Sequence, residues 1–299
     1  MLDVRRLRLL RELAHRGTIA AVAEALTFSP SAVSQQLSVL EREAGVPLLE
    51  RTGRGVTLTP AGRKLVEHTE VVLERLEQAV GDLADSREGL SGPLRIGTFP
   101  SAARTIVATA LVVLGREYPA LEPHVQEIDP ADVSAALRAG ELDVALVHEY
   151  DFVPAEDPRG MATEPLLTEP LFLASPRDSS LSCEEDELGP IRRWRAAPWI
   201  LATPRTMCHT MAVRVCQANG FTPSARHHVD DFATVLAFVA AGQGVALVPR
   251  LGAADPPDGV VLTQLPLSRR TEIACRRGAR RHPAVTAFAL ALRATLPEF

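Results

Sequence analysis

FSPSAVSQQLSVLERE, running from Phe28 to Glu43, decides how the first part of this chain folds. Ser29 is a good N-cap, and Pro30 falls at a first helical position, where its missing N–H costs nothing. Val33, Leu37, Leu40 and Ala44 then recur at helical spacing and predict a buried stripe. Ser31, Ser34, Gln35, Ser38 and Arg42 lie on another side. A solvated helix face is normally filled with long charged helix formers, and serine is a poor one because its hydroxyl competes with the backbone. Short hydroxyls allow close approach to a surface. An amide presents a donor and an acceptor together, which suits adenine edges. The face therefore predicts contact with a DNA major groove, with phosphate contacts strengthened at the helix N-terminus.

The flanks extend the pattern. Val4, Leu7, Leu10 and Ala14, widened by Leu9 and Leu13, predict a first helix that Gly17 ends. Thr18 caps a second, IAAVAEAL, and the turn at Thr27 and Phe28 leads into the third. A short helix, a tight turn and another helix make a helix-turn-helix. Downstream, VPLLERTGRGVTLTPAG (Val46 to Gly62) reads as a hairpin wing turning at Gly53 and Gly55 and carrying Arg51 and Arg54. An arginine on such a turn suits a minor groove. Thr59 and Pro60 open a longer helix. Its Leu65, Val72, Leu76, Ala79 and Leu83 form an imperfect a/d seam, which predicts a dimerisation helix.

Composition separates this module from the rest. The chain has 299 residues, of which 46% are hydrophobic, enough for two or three domains with a sizeable core. Its net charge of −5 argues against nucleic-acid binding when taken alone. Residues 1–64, however, sum to +4 and the remainder to −9, so a small basic module is joined to a larger acidic one. The start, MLDVRRLRLLRELAHRG, is charged throughout and lacks the apolar stretch of a signal peptide, which predicts a cytoplasmic protein. TIVATALVVLG (Thr105 to Gly115) is far below the roughly 18 apolar residues of a membrane span, so no membrane association is expected. Cys183, Cys208, Cys216 and Cys275 show no CxxC spacing and read as reduced thiols. No catalytic, metal-binding or cofactor motif is present.

From Leu94 onward, strand and helix patterns alternate, which predicts an α/β fold with largely parallel sheets. Ligands in such folds bind beyond the carboxyl ends of strands, near helix N-termini. That rule selects Thr98 to Ala102, Ala202 to His209 and Val229 to Phe232, with His148 at the end of another strand. Hydroxyls and free backbone N–H groups there suit a small organic anion.

GTIAAVAEALTFSPSAVSQQLSVLEREAGVPLLERTGRGVTLTPAG, Gly17 to Gly62, closely resembles the winged helix-turn-helix of LysR-type transcriptional regulators. The resemblance implies DNA contacts at Ser29, Pro30, Ser31, Ser34 and Gln35, with Arg54 on the wing. Many members carry Gln at the place of Pro30 and Arg at that of Gln35, so the expected operator differs. The remainder resembles the family's effector domain, a two-lobed α/β fold like that of periplasmic solute-binding proteins. The implied organisation is a DNA-binding domain over residues 1–59, a linker helix over 60–90 and an effector domain over 91–299. Its lobes would be 94–163 with 267–299, and 164–266. The effector would sit between them at Ser101, Thr203 and Asp231, joined by Thr98 and His148. Operator DNA, a small-molecule effector and further copies of the chain, as homodimer or homotetramer, are the implied partners, with RNA polymerase a further candidate. Peroxide-sensing relatives carry a reactive cysteine pair in the region of Cys208 and Cys216. Here eight residues of helix would separate the two by about 12 Å, beyond disulfide reach, and both read as buried small groups.

Overall fold

The computed structural model describes residues 1–53, 55–85, 89–153, 160–177 and 189–297, so Arg54 and Cys183 lie outside the described residues. The chain divides into two units, Met1–Glu88 with Arg276–Pro283, and Gly89–Cys275 with Ala284–Phe299.

The first unit begins with helices α1 (Val4–Arg16), α2 (Ile19–Ala25) and α3 (Pro30–Ala44). Each starts on a side chain that accepts from a free helical N–H: Asp3 from Arg5 and Arg6, Thr18 from Ala21, and Ser29 from Ala32. Such a cap is worth about 1 kcal/mol. Gly17 and Gly45 end α1 and α3 in the left-handed conformation, where a side chain is strained. Leu10, Val22, Val33, Leu37 and Leu40 form the core between the three helices. Val4 and Ala14, expected on the buried stripe of α1, are exposed; Leu7, Leu9, Leu10 and Leu13 supply its inner face. Strands β1 (Leu49–Thr52) and β2 (Gly55–Leu58) pair antiparallel with Thr52 opposite Gly55, so Gly55 belongs to a strand and not to the turn. Glu41 anchors this wing to α3 by accepting from the backbone N–H groups of Leu48 (2.9 Å) and Leu49 (3.0 Å). Thr59 caps α4 (Pro60–Asp85), and His15 on α1 meets Glu70 on α4 at 3.1 Å.

The second unit holds a six-stranded sheet in the order β4-β3-β5-β10-β6-β9 and a two-stranded sheet of β7 and β8. The ranges are β3 (Gly92–Thr98), β4 (Leu121–Glu127), β5 (Val144–Tyr150), β6 (Met161–Pro176), β7 (Pro198–Leu201), β8 (Ser224–His228), β9 (Ala246–Pro249) and β10 (Val260–Arg276). Between them run α5 (Pro100–Ala102), α6 (Ala108–Glu117), α7 (Pro130–Ala139), α8 (Met207–Ala218), α9 (Phe232–Ala240) and the closing α10 (Pro283–Ala294). The six-stranded sheet is mixed, which corrects the expectation of largely parallel sheets there, while the two-stranded sheet is parallel as expected. β3 is parallel to β4 and β5, and β7 to β8, whereas β5–β10 and β6–β9 are antiparallel. Hydrophobic alternation reports that a strand exists, not its direction.

The long strands β6 and β10 each contribute to two separate cores. Leu166 and Ile273 pack with Ile96, Leu146 and Phe288, whereas Leu171 and Leu265 pack with Trp199, Val215 and Leu247. The expected single helix after β3 is interrupted, because α5 passes through a π turn at Ala103–Val107 before α6. β8 escapes sequence reading because it is nearly all exposed and carries no alternation.

Candidate functional site

Two surfaces concentrate the chemistry. On α3, Ser31, Ser34, Gln35, Ser38 and Arg42 are exposed, while Val33, Leu37 and Leu40 on the other side are at most 1% exposed. Pro30 and Ser29 are exposed at the helix start, where the Ser29 and Ser31 hydroxyls lie 3.0 Å apart. The face has no anionic side chain among these residues, and its donors and acceptors are open to solvent. It can approach an anionic surface closely.

The second surface is a cavity of about 250 Å³ in the larger unit. Ser101 and His148 line it; Thr98, Thr203 and Asp231 do not. Thr98 is fully buried at the end of β3. Thr203 is exposed, with both its N–H and its hydroxyl bound to Asp230 at 2.7 Å. Asp231 caps α9, accepting from the Thr234 N–H (2.9 Å) and hydroxyl (2.8 Å). Burial pushes the Asp231 carboxyl up, but the Thr234 and Ala233 bonds, together with Arg104, hold it below the ordinary range. The three strand-to-helix junctions do converge on the cavity, the first through the expected Ser101 and the other two through neighbours of the expected residues: Thr206 and Cys208 from the second, Asp230 and Phe232 from the third.

Arg269 is the cavity residue that pattern reading missed. It is fully buried, with its guanidinium 4.7 Å from the centre of the Phe99 ring. It donates to Glu169 from Nε at 2.8 Å and to the Ser101 hydroxyl from Nη2 at 3.1 Å. The second Glu169 oxygen accepts from the Leu251 backbone N–H at 2.6 Å. Burial opposes the Arg269 charge, and Tyr150 and Glu169 more than offset it. Removing one partner of such a buried pair costs about 3–5 kcal/mol, because it strands the other charge. The available signal was a Glu and an Arg inside the hydrophobic strands of β6 and β10.

His148 is 5% exposed, and neither ring nitrogen has a hydrogen-bond partner among the described residues. Its ring packs edge-on against Phe99 at 4.5 Å and Tyr150 at 5.1 Å. Burial and the Arg269 charge push its pKa well below 6.5, so the imidazole is neutral. The Tyr150 hydroxyl and the Cys208 thiol lie 3.3 Å apart, and burial raises the pKa of both. Cys216, on the inner face of α8, sits in the core, its thiol pushed up to about 12 by burial. Both thiols are therefore held protonated, on one continuous helix.

Comparison with known proteins joins the two surfaces. The family model described as "Bacterial regulatory helix-turn-helix protein, lysR family" matches residues 4–63, and "LysR substrate binding domain" matches residues 87–297. The chain is 31% identical over 258 residues to the nitrogen assimilation regulatory protein nac of Klebsiella aerogenes, spanning 84% of this chain and 80% of that one. It is 37% identical over 176 residues to a probable hydrogen peroxide-inducible genes activator of Mycobacterium xenopi, spanning 59% of this chain and 90% of that one. A solved OxyR mutant of Corynebacterium glutamicum superposes with a TM-score of 0.57 at 28% identity, covering 99% of this chain and 92% of that one. These relatives are transcriptional regulators, not enzymes. With a helix-turn-helix model and a substrate-binding model matched in chain order, the chain belongs to the LysR family of DNA-binding transcriptional regulators.

Proposed function

We propose that this regulator acts in the cytoplasm, reads operator DNA with the Ser29–Gln35 face of α3, and takes a small-molecule effector in the cavity around Ser101 and His148. The observation that carries the DNA reading is the exposed serine and glutamine face backed by the fully buried Val33, Leu37 and Leu40. Gln35 supplies an amide for a base edge, and Ser29, Ser31 and Ser34 supply phosphate or base-edge contacts. Arg54 on the wing is a proposal from the sequence alone. Exposed Val72, Leu76 and Leu83 on α4 support dimerisation, which would present two recognition helices to a pseudo-palindromic site. An oxidant signal through Cys208 is disfavoured by its protonated thiol and by the helical separation from Cys216.

Fluorescence anisotropy against the DNA upstream of the regulator's own gene tests the assignment. Gln35→Ala should cost about 1–3 kcal/mol on the preferred site and relax specificity at the base it reads. Unchanged affinity and specificity would remove Gln35 from the readout.

A further inference from the structure

The effector reading leaves the chemical class of the ligand open, and the charges of the cavity narrow it. Three carboxylates line it, those of Glu127, Asp129 and Asp230. The lining has one guanidinium, that of Arg269, and Glu169 already matches its charge at 2.7 Å. A simple organic anion would therefore enter a site with excess negative charge. Burial raises the Asp129 pKa, and neighbouring Asp132 and Asp230 raise it further against the backbone N–H bonds of Ala131 and Met207.

The carboxylates retain capacity. Asp129 caps α7 through a bond from Ala131 at 3.0 Å and takes a second from the Met207 backbone N–H, and Asp230 holds Thr203 with one bond to each oxygen. A carboxylate offers about four acceptor sites. Deeper in the cavity the polar groups differ. The Ser101 oxygen accepts from Arg269, which leaves its own O–H free to donate. His148, neutral and 5% exposed, has one N–H donor and one acceptor without partners among the described residues. A buried polar group left unpaired costs about 1–3 kcal/mol, so this ring is built to meet something in the cavity. The cavity, at about 250 Å³, is below the roughly 300–1,000 Å³ of drug-sized sites, so the ligand is small.

We propose, on the reading of this cavity as the effector site, that the ligand is a free amino acid. Its ammonium faces Asp129, Asp230 and Glu127, and its carboxylate accepts from the Ser101 hydroxyl and the His148 N–H beside Arg269. The arrangement neutralises the acidic rim and satisfies the buried ring in one step.

Calorimetry and thermal shift on the full-length protein test this with three matched panels: the common L-amino acids, their decarboxylated amines, and the corresponding acids lacking the amine. The expected result is that at least one amino acid binds and raises the melting temperature while its amine-less and carboxylate-less counterparts bind weakly. Asp129→Asn keeps an N-cap on α7 and should weaken that binding by roughly 10- to 100-fold, the loss of a hydrogen bond to a charged group. Ser101→Ala should weaken it less. An amine-less acid that binds as well as any amino acid, or a bare amine that binds where no amino acid does, overturns the proposal and leaves the effector cavity in place. Amino-acid binding that Asp129→Asn does not alter also overturns it. Silence from every panel overturns the proposal together with the effector reading on which it rests.

Discussion

His148 concentrates the cost of building this cavity. The ring is buried without partners among the described residues, and burial together with Arg269 favours its neutral form. The folded-state pKa lies below the unfolded value, so the unfolded chain binds more protons as pH falls beneath about 6.5. The His148 contribution is therefore fully present above that pH and is lost as pH drops through the window below it. Melting temperature followed from neutral pH into the acid range should fall, and His148→Phe should flatten that slope. Asp129 works in the opposite sense at lower pH, because a raised carboxyl pKa favours the folded state on protonation. A slope that the substitution leaves intact would show that the ring is hydrated or protonated in the folded protein.

The elements of the first unit meet at Gly62, within the first turns of α4. A Cβ there would lie 2.3 Å from the Leu48 carbonyl oxygen and 3.0 Å from the Leu58 side chain. The helix thus passes against the backbone that leads into the wing, with Leu48 itself buried in the core. At an ordinary helical position, replacing glycine by alanine gains about 1 kcal/mol. Here the contact is with backbone that cannot swing aside, and Gly62→Ala should instead destabilise by about 1–3 kcal/mol, as overpacking does. Thermal unfolding of the full chain reads the sign, and a stabilised variant would show that α4 and the wing are not packed this closely.

For the molecule as a whole, the exposed apolar side of α4 is the feature a lone chain does not explain. Val72 is 41% exposed, Leu76 47%, Val80 58% and Leu83 68%. Contiguous apolar exposure of this kind marks an association surface. Leu76→Glu should shift the protein toward monomer in sedimentation velocity. It should also weaken binding to a two-half-site operator far more than binding to a single half-site. An unchanged sedimentation coefficient would place self-association elsewhere on the chain.

Local physics is written into neighbouring residues, and that part was legible. Caps at Thr18 and Ser29, the glycine stops, and the Val33–Leu37–Leu40 stripe depend on spacings of a few positions, so α2 and α3 and the exposed Ser/Gln face could be read directly. The strand-to-helix rule likewise brought three loops to one cavity. Within them Ser101 lines the cavity and Thr98, Thr203 and Asp231 do not, because a hydroxyl or carboxylate at a helix start is as ready to bond to protein as to face a ligand. Asp231 is spent on the cap of its own helix, and Thr203 on Asp230, 27 residues further along the chain. The Arg269–Glu169 pair, 100 residues apart in sequence, belongs to the other kind of information. It exists because β6 and β10 lie side by side in one sheet. Strand direction, the neutral state of His148 and the acidity of the cavity rim follow from the same long-range pairing, since burial and charge proximity are properties of residues brought together in space.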